Sequence, residues 1–196
     1  MKMQKRAKIS REKLLTAADE LFREKGYFNT NTKEIVKRAG CSVGNFYNYF
    51  SNKGEVYCEL VHGYINGTIM VVEHMIEQIE GKKREEAREI IWAFMKKQIN
   101  RAMGYTNFFD PAVCIKEGIE LESVIEEGEA KLIGLFVDYY KRQGRDTGAI
   151  SYEIQARMLY VATNEIANDI MKLKEEDKKE EYMELLVEFI LDYIYE

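Results

Sequence analysis

The sequence predicts an all-α protein, and three observations carry this prediction. A single proline, Pro111, occurs among the 196 residues, so helices can run long without being broken. Residues that favour helices, such as Leu, Glu, Lys and Ala, are plentiful. Apolar residues recur at intervals of three and four, whereas strand patterns are nearly absent. We expect an N-terminal three-helix helix-turn-helix domain over residues 1–52 and a C-terminal helical bundle over residues 53–196, with about nine helices in total.

The first two helices of the N-terminal domain are marked by their ends. Residues 9–25 carry one apolar face, formed by Leu14, Ala18, Leu21 and Phe22. Gly26 ends this helix, because glycine readily takes the left-handed conformation at a helix C-terminus. Asn31 and Glu34 have the spacing of a capping box, so a second helix begins there and stops at Gly40.

The third helix carries the most informative pattern. It begins after Ser42, a good N-cap, and the turn over residues 40–42 has the length found in a helix-turn-helix. One narrow arc contains the residues predicted to pack: Val43, Phe46, Tyr47 and Phe50. The other face contains Gly44, Asn45, Asn48 and Tyr49. Because that face lacks carboxylates, it can approach DNA closely and offer hydrogen-bonding groups to base edges.

Charge is divided unevenly along the chain. Residues 1–55 carry 12 basic and 6 acidic side chains, whereas residues 56–196 carry 17 and 28. The net charge of −5 therefore combines a basic N-terminal segment with an acidic remainder. A basic segment attracts phosphates, and the acidic remainder orients the molecule on them. A solvated run of charges is the alternative interpretation.

The motifs between Gly26 and Lys53 resemble the DNA-binding signature of the TetR family. They are Gly26-Tyr27, Asn31-Thr32-Lys33-Glu34-Ile35, Ala39-Gly40-Cys41-Ser42, Gly44, Phe46-Tyr47-Asn48-Tyr49-Phe50 and Lys53. The resemblance implies phosphate contacts by five residues: Thr32, Lys33, Tyr47, Tyr49 and Lys53. It implies that another five lie at or near base edges: Ser42, Val43, Gly44, Asn45 and Asn48. The partner expected from this resemblance is double-stranded DNA.

Two positions depart from the family pattern. Gly54 stands where an acidic residue is usual, and Asn48 stands where larger or more basic residues are frequent. Glycine at the start of a fourth helix lowers its stability by up to about 1 kcal/mol relative to alanine. Neither departure removes a phosphate donor.

The fourth helix is predicted over residues 53–80 and is apolar on two sides. In TetR-like proteins this helix joins the DNA-binding domain to the sensing domain, so the side with glycines and polar groups is a candidate pocket wall. The candidate ligand-binding residues are Tyr64, Gly67, Val71 and His74 on this helix, and Trp92, Met95, Phe108, Phe136 and Tyr140 beyond it. A packed core is the alternative interpretation for these positions.

Further helices are predicted over residues 84–103, 111–126, 127–142, 152–174 and 179–195. The last helix has an apolar stripe wider than one neighbouring helix covers, so we expect a second copy of the chain to cover it. Seven residues are assigned to this dimer interface: Met158, Ala162, Ile166, Leu186, Phe189, Ile190 and Tyr193.

Several function classes are not supported. The charge-free stretch over residues 60–72 is shorter than the roughly 20 apolar residues of a membrane span. Three cysteines share no metal-ligand spacing, and with no secretion signal we expect reduced thiols in the cytoplasm. His62 and His74 lie on different faces of one helix, so they form no metal pair. Without a phosphate-binding glycine loop, serine elbow or Cys/His/Asp constellation, we expect no enzyme and no cofactor.

The sequence therefore predicts a cytoplasmic DNA-binding transcriptional regulator that responds to a small-molecule effector. As implied by the resemblance, it is expected to be a dimeric repressor of a near-palindromic operator, released by a lipophilic ligand. A helical ligand-binding or adaptor dimer that does not read DNA is the alternative.

Overall fold

The computed structural model describes residues 2–105, 111–118, 121–144 and 150–195. This part of the chain contains nine helices and no strand, which confirms the all-α prediction. The helices are α1 Lys2–Lys25, α2 Thr32–Ala39, α3 Val43–Tyr47, α4 Lys53–Ile79, α5 Arg84–Met103, α6 Pro111–Glu117, α7 Leu121–Gln143, α8 Tyr152–Lys172 and α9 Glu176–Tyr195. Of these described helices, none combines the length and the apolar character that a membrane span requires.

The chain forms two compact units. The head unit consists of Met1–Ile65 and Gly104–Val124, and the body unit consists of Asn66–Met103 and Ile125–Glu196. The head unit extends past residue 52 because Val56, Tyr57 and Val61 on α4 are buried in its core. The functional division between residues 1–52 and 53–196 stays a prediction.

Caps define the first helices of the head unit. The Asn31 side chain accepts a hydrogen bond from the Glu34 amide at 3.1 Å, and Glu34 accepts one from the Asn31 amide at 3.0 Å. Gly26 and Gly40 adopt left-handed φ values of 80° and 64° at the ends of α1 and α2. These contacts confirm the predicted capping box and both glycine stops. The first helix, however, begins at Lys2, earlier than the predicted residue 9.

The third helix is shorter and less packed than predicted. It covers five residues, little more than one turn, and Asn48 is its C-cap. Phe46 in the helix and Phe50 just after it are buried as expected, but Val43 and Tyr47 are 45% and 58% exposed. The prediction that these last two residues pack was wrong, because so short a helix turns few of its side chains towards the core.

The break between the sixth and seventh helices also differs from the prediction. α6 ends at Glu117, where Gly118 adopts a left-handed φ of 63°, and α7 then runs without interruption past residue 126. The predicted break between residues 126 and 127 was wrong because both positions are glutamates, which are good helix formers.

The body unit has its own core. Helices α5, α8 and α9 pack against one another, and apolar side chains from α4 and α7 complete the cluster. Ion pairs join the surfaces of α5 and α9. Arg84 lies 2.8 Å from Glu188 and 2.5 Å from Asp192, and the Arg88 Nε lies 2.8 Å from Glu188. These contacts tie helices that are far apart in sequence.

Candidate nucleic-acid interface

Two helices of the head unit are capped at their N-termini by short polar side chains. Asn31 caps α2 as described above, and Ser42 caps α3 by accepting a hydrogen bond from the Asn45 amide at 3.1 Å. The other amides of a helix first turn have no partner within the helix, and the helix dipole makes this end positive. Each of these N-termini is therefore suited to an anion such as a DNA phosphate.

The predicted contact residues around α3 lie on an open surface. Ser42, Gly44, Tyr47 and Asn48 are exposed, and Asn45 is half-buried. A Cβ atom built on Gly44 would meet no heavy atom within 4 Å, so a large partner can approach the backbone there. On the other side, the buried Phe46 and Phe50 rings lie 5.6 Å apart and anchor the helix in the core.

Cations near this surface fall into two groups. Lys25 and Arg38 are neutralised by Glu34 and Glu24, each at 2.6 Å. Lys33, in contrast, is exposed and makes no ion pair with any residue that the structure describes. Its charge is therefore available to a phosphate. The predicted phosphate contacts Thr32 and Tyr49 are both half-buried. Thr32 lies at the start of α2, and Tyr49 lies after α3.

Lys53 is placed differently from the other predicted phosphate contacts. Its Nζ donates hydrogen bonds to the carbonyl oxygens of Tyr27 at 2.7 Å and Thr30 at 2.8 Å. The same ammonium lies 3.9 Å from the centre of the Tyr27 ring. Burial, and then the charge of Lys116, lower the pKa of Lys53 below its ordinary value. Two of its three N–H donors thus hold the turn between α1 and α2, which leaves one for another acceptor.

The candidate ligand-binding residues do not meet in one cavity among the described residues. Val71 and His74 line an open groove of about 510 Å³ formed by α4 and α5. Trp92 lines a separate cavity of about 230 Å³ between α5, α8 and α9. Met95 and Tyr140 are buried in the core of the body unit, and Phe136 packs against that core.

The remaining candidate ligand residues have other surroundings. The Tyr64 ring lies 4.8 Å from the Tyr105 ring within the head unit. A Cβ atom on Gly67 would lie 3.2 Å from a guanidinium nitrogen of Arg101, so this glycine permits a close contact. Phe108 lies outside the described residues. Sequence periodicity predicted the apolar character of this set, but not which members face a cavity.

The predicted dimer residues fall into three groups. Met158 is 56% exposed on α8. Ala162, Ile166, Phe189 and Tyr193 are half-buried. Leu186 and Ile190 are buried in the core of the single chain. Besides Met158, the exposed apolar side chains of these two helices are Ile154, Val161, Tyr182 and Leu185, which belong to the predicted apolar stripes but not to the seven assigned residues. The width of the predicted apolar stripe was the signal for these side chains, because the outer edge of the stripe stays exposed in a single copy of the chain.

Comparison with known proteins finds similar sequences for the helix-turn-helix segment. Residues 14–60 match the family model described as "Bacterial regulatory proteins, tetR family". The HTH-type transcriptional regulator YxaF of Bacillus subtilis, itself uncharacterized, is 38% identical over 88 residues, which cover 45% of this chain and 44% of that protein. The match thus spans less than half the length of this curated relative.

Solved structures are similar over nearly the whole chain. A chain described as a TetR-family transcriptional regulator from Mesorhizobium loti has a TM-score of 0.70 at 18% identity, covering 95% of this chain and 97% of its own. The SmeT–triclosan complex has a TM-score of 0.66 at 18% identity, covering 93% and 90%. At this level of identity the similarity shows the fold, a helix-turn-helix followed by a helical domain.

Proposed function

Because residues 14–60 make this chain a member of the TetR family of bacterial regulatory proteins, we propose that it is a ligand-responsive transcriptional repressor that binds operator DNA as a homodimer. The observation that carries the proposal is the exposed, carboxylate-free surface formed by α3 and the residues around it. The curated relative and the Mesorhizobium loti structure are named as transcriptional regulators, which supports this function over catalysis.

DNA is read by the exposed side of α3. Gly44, Asn45 and Asn48 offer a close approach and amide groups to base edges in the major groove. Tyr47 and Lys33 are exposed and contact phosphates, and the N-termini of α2 and α3 add backbone amides. The remaining contacts are the ones expected above: Thr32, Ser42, Val43, Tyr49 and the third N–H of Lys53. This arrangement places the positive N-terminal segment against the duplex.

A second copy of the chain covers the exposed apolar side chains of α8 and α9. Leu185 and Met158 are 65% and 56% exposed, and Ile154, Val161 and Tyr182 on the same two helices are also exposed. Exposed apolar side chains grouped on two helices are typical of an interface rather than of a monomer surface. Two-fold symmetry then sets two copies of α3 about one DNA turn apart, roughly 34–36 Å, so the operator is a near-palindrome.

The effector is a small, lipophilic molecule held by the body unit. The structural neighbour SmeT was solved with triclosan. In this chain the Trp92 cavity is lined by apolar residues, which include Ile99, Ile170 and Met183, and by five polar residues, which are Lys96, Asn100, Glu176, Lys179 and Glu180. Effector binding favours a conformation that binds the operator less well, and the DNA is released. The chain acts in the cytoplasm, where it meets its DNA.

Selection of DNA from a random pool by the purified protein tests the function. The wild type is compared with a Lys33→Ala plus Tyr47→Ala variant, because both side chains are exposed and their removal leaves the core intact. Lys141→Ala, an exposed lysine of the body unit, is the matched control. We expect the wild type and the control to enrich one near-palindrome that the double variant does not retain. Absence of any enrichment by the wild type would leave a helical adaptor dimer instead.

The fluorescence of Trp92 tests the ligand proposal directly, because Trp92 is the only tryptophan in the sequence. Triclosan is the first probe. We expect it to change the Trp92 emission and to lower operator affinity over the same concentration range. An emission change without any loss of operator affinity would contradict the proposed release of DNA.

A further inference from the structure

Helix α6 is built into the core of the head unit, although it lies between α5 and α7 in sequence. Val113 is fully buried in the head core. Lys116, three residues on, places its ammonium 5.1 Å from the centre of the Phe28 ring. Val113, Lys116 and Glu117 share one face of the helix, so this face is the docking face of α6. In sequence, α6 lies between Met103 and Ile125, the positions at which the body unit breaks off and resumes.

Glu117 occupies the space that a side chain at position 54 would fill. Gly54 is buried, and a Cβ atom built on it would lie 2.5 Å from Glu117 Oε2 and 3.0 Å from Glu117 Cδ. The side-chain oxygen of Asn52 would lie 3.0 Å from the same Cβ. Every residue other than glycine at position 54 would therefore displace the Glu117 carboxylate.

The position of this carboxylate is favourable for α4. Asn52 caps α4 by accepting a hydrogen bond from the Glu55 amide at 2.9 Å, so Gly54 lies in the first helical turn. A negative charge at a helix N-terminus stabilises the helix by interacting with its dipole and free amides. The first turn of α4 carries one carboxylate of its own, Glu55, which accepts a hydrogen bond from the Ser51 amide at 2.6 Å, and Glu117 adds a second carboxylate from another helix.

The same carboxylate affects the protonation of two neighbouring groups, Lys53 and Tyr27. The charge of Glu117 favours the ammonium form of Lys53, against the effects of burial and of Lys116. Burial, followed by the nearby Glu117 carboxylate, raises the pKa of the Tyr27 phenol above its ordinary value. Lys53 and Tyr27 in turn hold the turn that precedes α2.

We propose that Glu117 is a positioning residue for the DNA-binding surface, and that Gly54 is glycine so that this carboxylate can sit on the N-terminus of α4. Docked α6 holds Lys53 and the start of α2 in the DNA-binding arrangement, and displacement of Glu117 weakens DNA binding. This inference rests on the proposed DNA-binding function and adds a residue that holds the DNA-binding surface in place.

Four variants test the proposal on the operator duplex obtained by selection: Gly54→Ala, Glu117→Ala, the combination of both, and Glu117→Gln. Each single change to alanine is expected to weaken DNA binding by about 3- to 10-fold, the range for losing one such interaction. The combined variant is expected to bind like either single variant, because both changes remove one contact. Glu117→Gln keeps the side-chain size, so weaker binding by it identifies the charge as the cause. Glu126→Ala, an exposed glutamate on α7, is the control.

Unchanged affinity in either single alanine variant would overturn the proposal, as would a combined loss equal to the product of the single losses. Hydrogen exchange of residues 111–118 in the absence of DNA separates this inference from the proposed function. We expect Gly54→Ala and Glu117→Ala to speed exchange there. If the wild type selects no DNA but exchange still responds in this way, the docking contact stands and the DNA-binding function fails. Wild-type exchange rates in both variants would overturn the docking contact itself.

Discussion

Replacing Lys53 with methionine is expected to lower the free energy of unfolding of the head unit by about 2–4 kcal/mol. Methionine keeps the apolar stem but removes two hydrogen bonds from an ammonium, at 2.7 and 2.8 Å, and the contact with the Tyr27 ring. Hydrogen bonds from a charged donor contribute about 1.5–3 kcal/mol each, and an exposed cation–π contact contributes about 0.5–1 kcal/mol. We use about half of the summed range of about 3.5–7 kcal/mol, because Lys53 is only half-buried and water replaces part of the loss.

Hydrogen exchange of the amides of α1 and α2 measures this loss in the head unit alone. At the lower bound, exchange through opening of the head unit speeds up by about 30-fold, since 1.4 kcal/mol corresponds to about tenfold. Lys33→Met is the matched control, because Lys33 is exposed and its loss changes stability by no more than about 0.5 kcal/mol. Equal exchange rates in the two variants would refute the structural role assigned to Lys53.

Three further predictions concern the interface, a helix end and acid stability. Met158→Lys is expected to convert the dimer to a monomer in analytical ultracentrifugation, whereas Met70→Lys, at a methionine that is 68% exposed on α4, leaves it intact; a dimer that persists in Met158→Lys would exclude the α8–α9 interface. Gly118→Ala is expected to destabilise the chain by about 1–2 kcal/mol in urea unfolding, because φ there is 63°, and no loss would mean that α6 ends in another way. The hydrogen bond from Lys25, and then that from the Asn31 amide, lower the pKa of Glu34 below its ordinary value of 4.5. Its contribution to stability is therefore complete above pH 4.5 and is lost as the pH falls through the lowered pKa, so Glu34→Gln should flatten acid unfolding monitored by circular dichroism.

Local signals in the sequence were sufficient for the helix ends of the head unit. The capping box of Asn31 and Glu34 and the glycine stop at Gly40 depend on residues within a few positions of each other, and both are present. The third helix shows the limit of such reasoning. Periodicity placed Val43 and Tyr47 on the packed arc, but it contains no information on how early a helix stops.

Contacts between distant segments were not predictable in this way. Met95 and Trp92 have similar apolar character, yet one is buried in the body core and the other lines a cavity. The difference depends on which helices pack over each residue, and no pattern within α5 records it. Two adjacent leucines at the proposed dimer surface also differ in this way. Leu186 is buried inside the chain, whereas Leu185 is 65% exposed.

Gly54 shows how a long-range contact changes the meaning of a local signal. Judged by helix propensity, glycine in the first turn of α4 is a defect of up to about 1 kcal/mol. In the proposed arrangement the Glu117 carboxylate offsets that loss with a favourable charge at the helix N-terminus, and the missing side chain at position 54 leaves room for it. If this compensation is the reason for the glycine, relatives with an acidic residue at the position of Gly54 should lack a carboxylate at the position of Glu117. An alignment in which both positions are commonly acidic would contradict the pairing, because two carboxylates would then have to share one space.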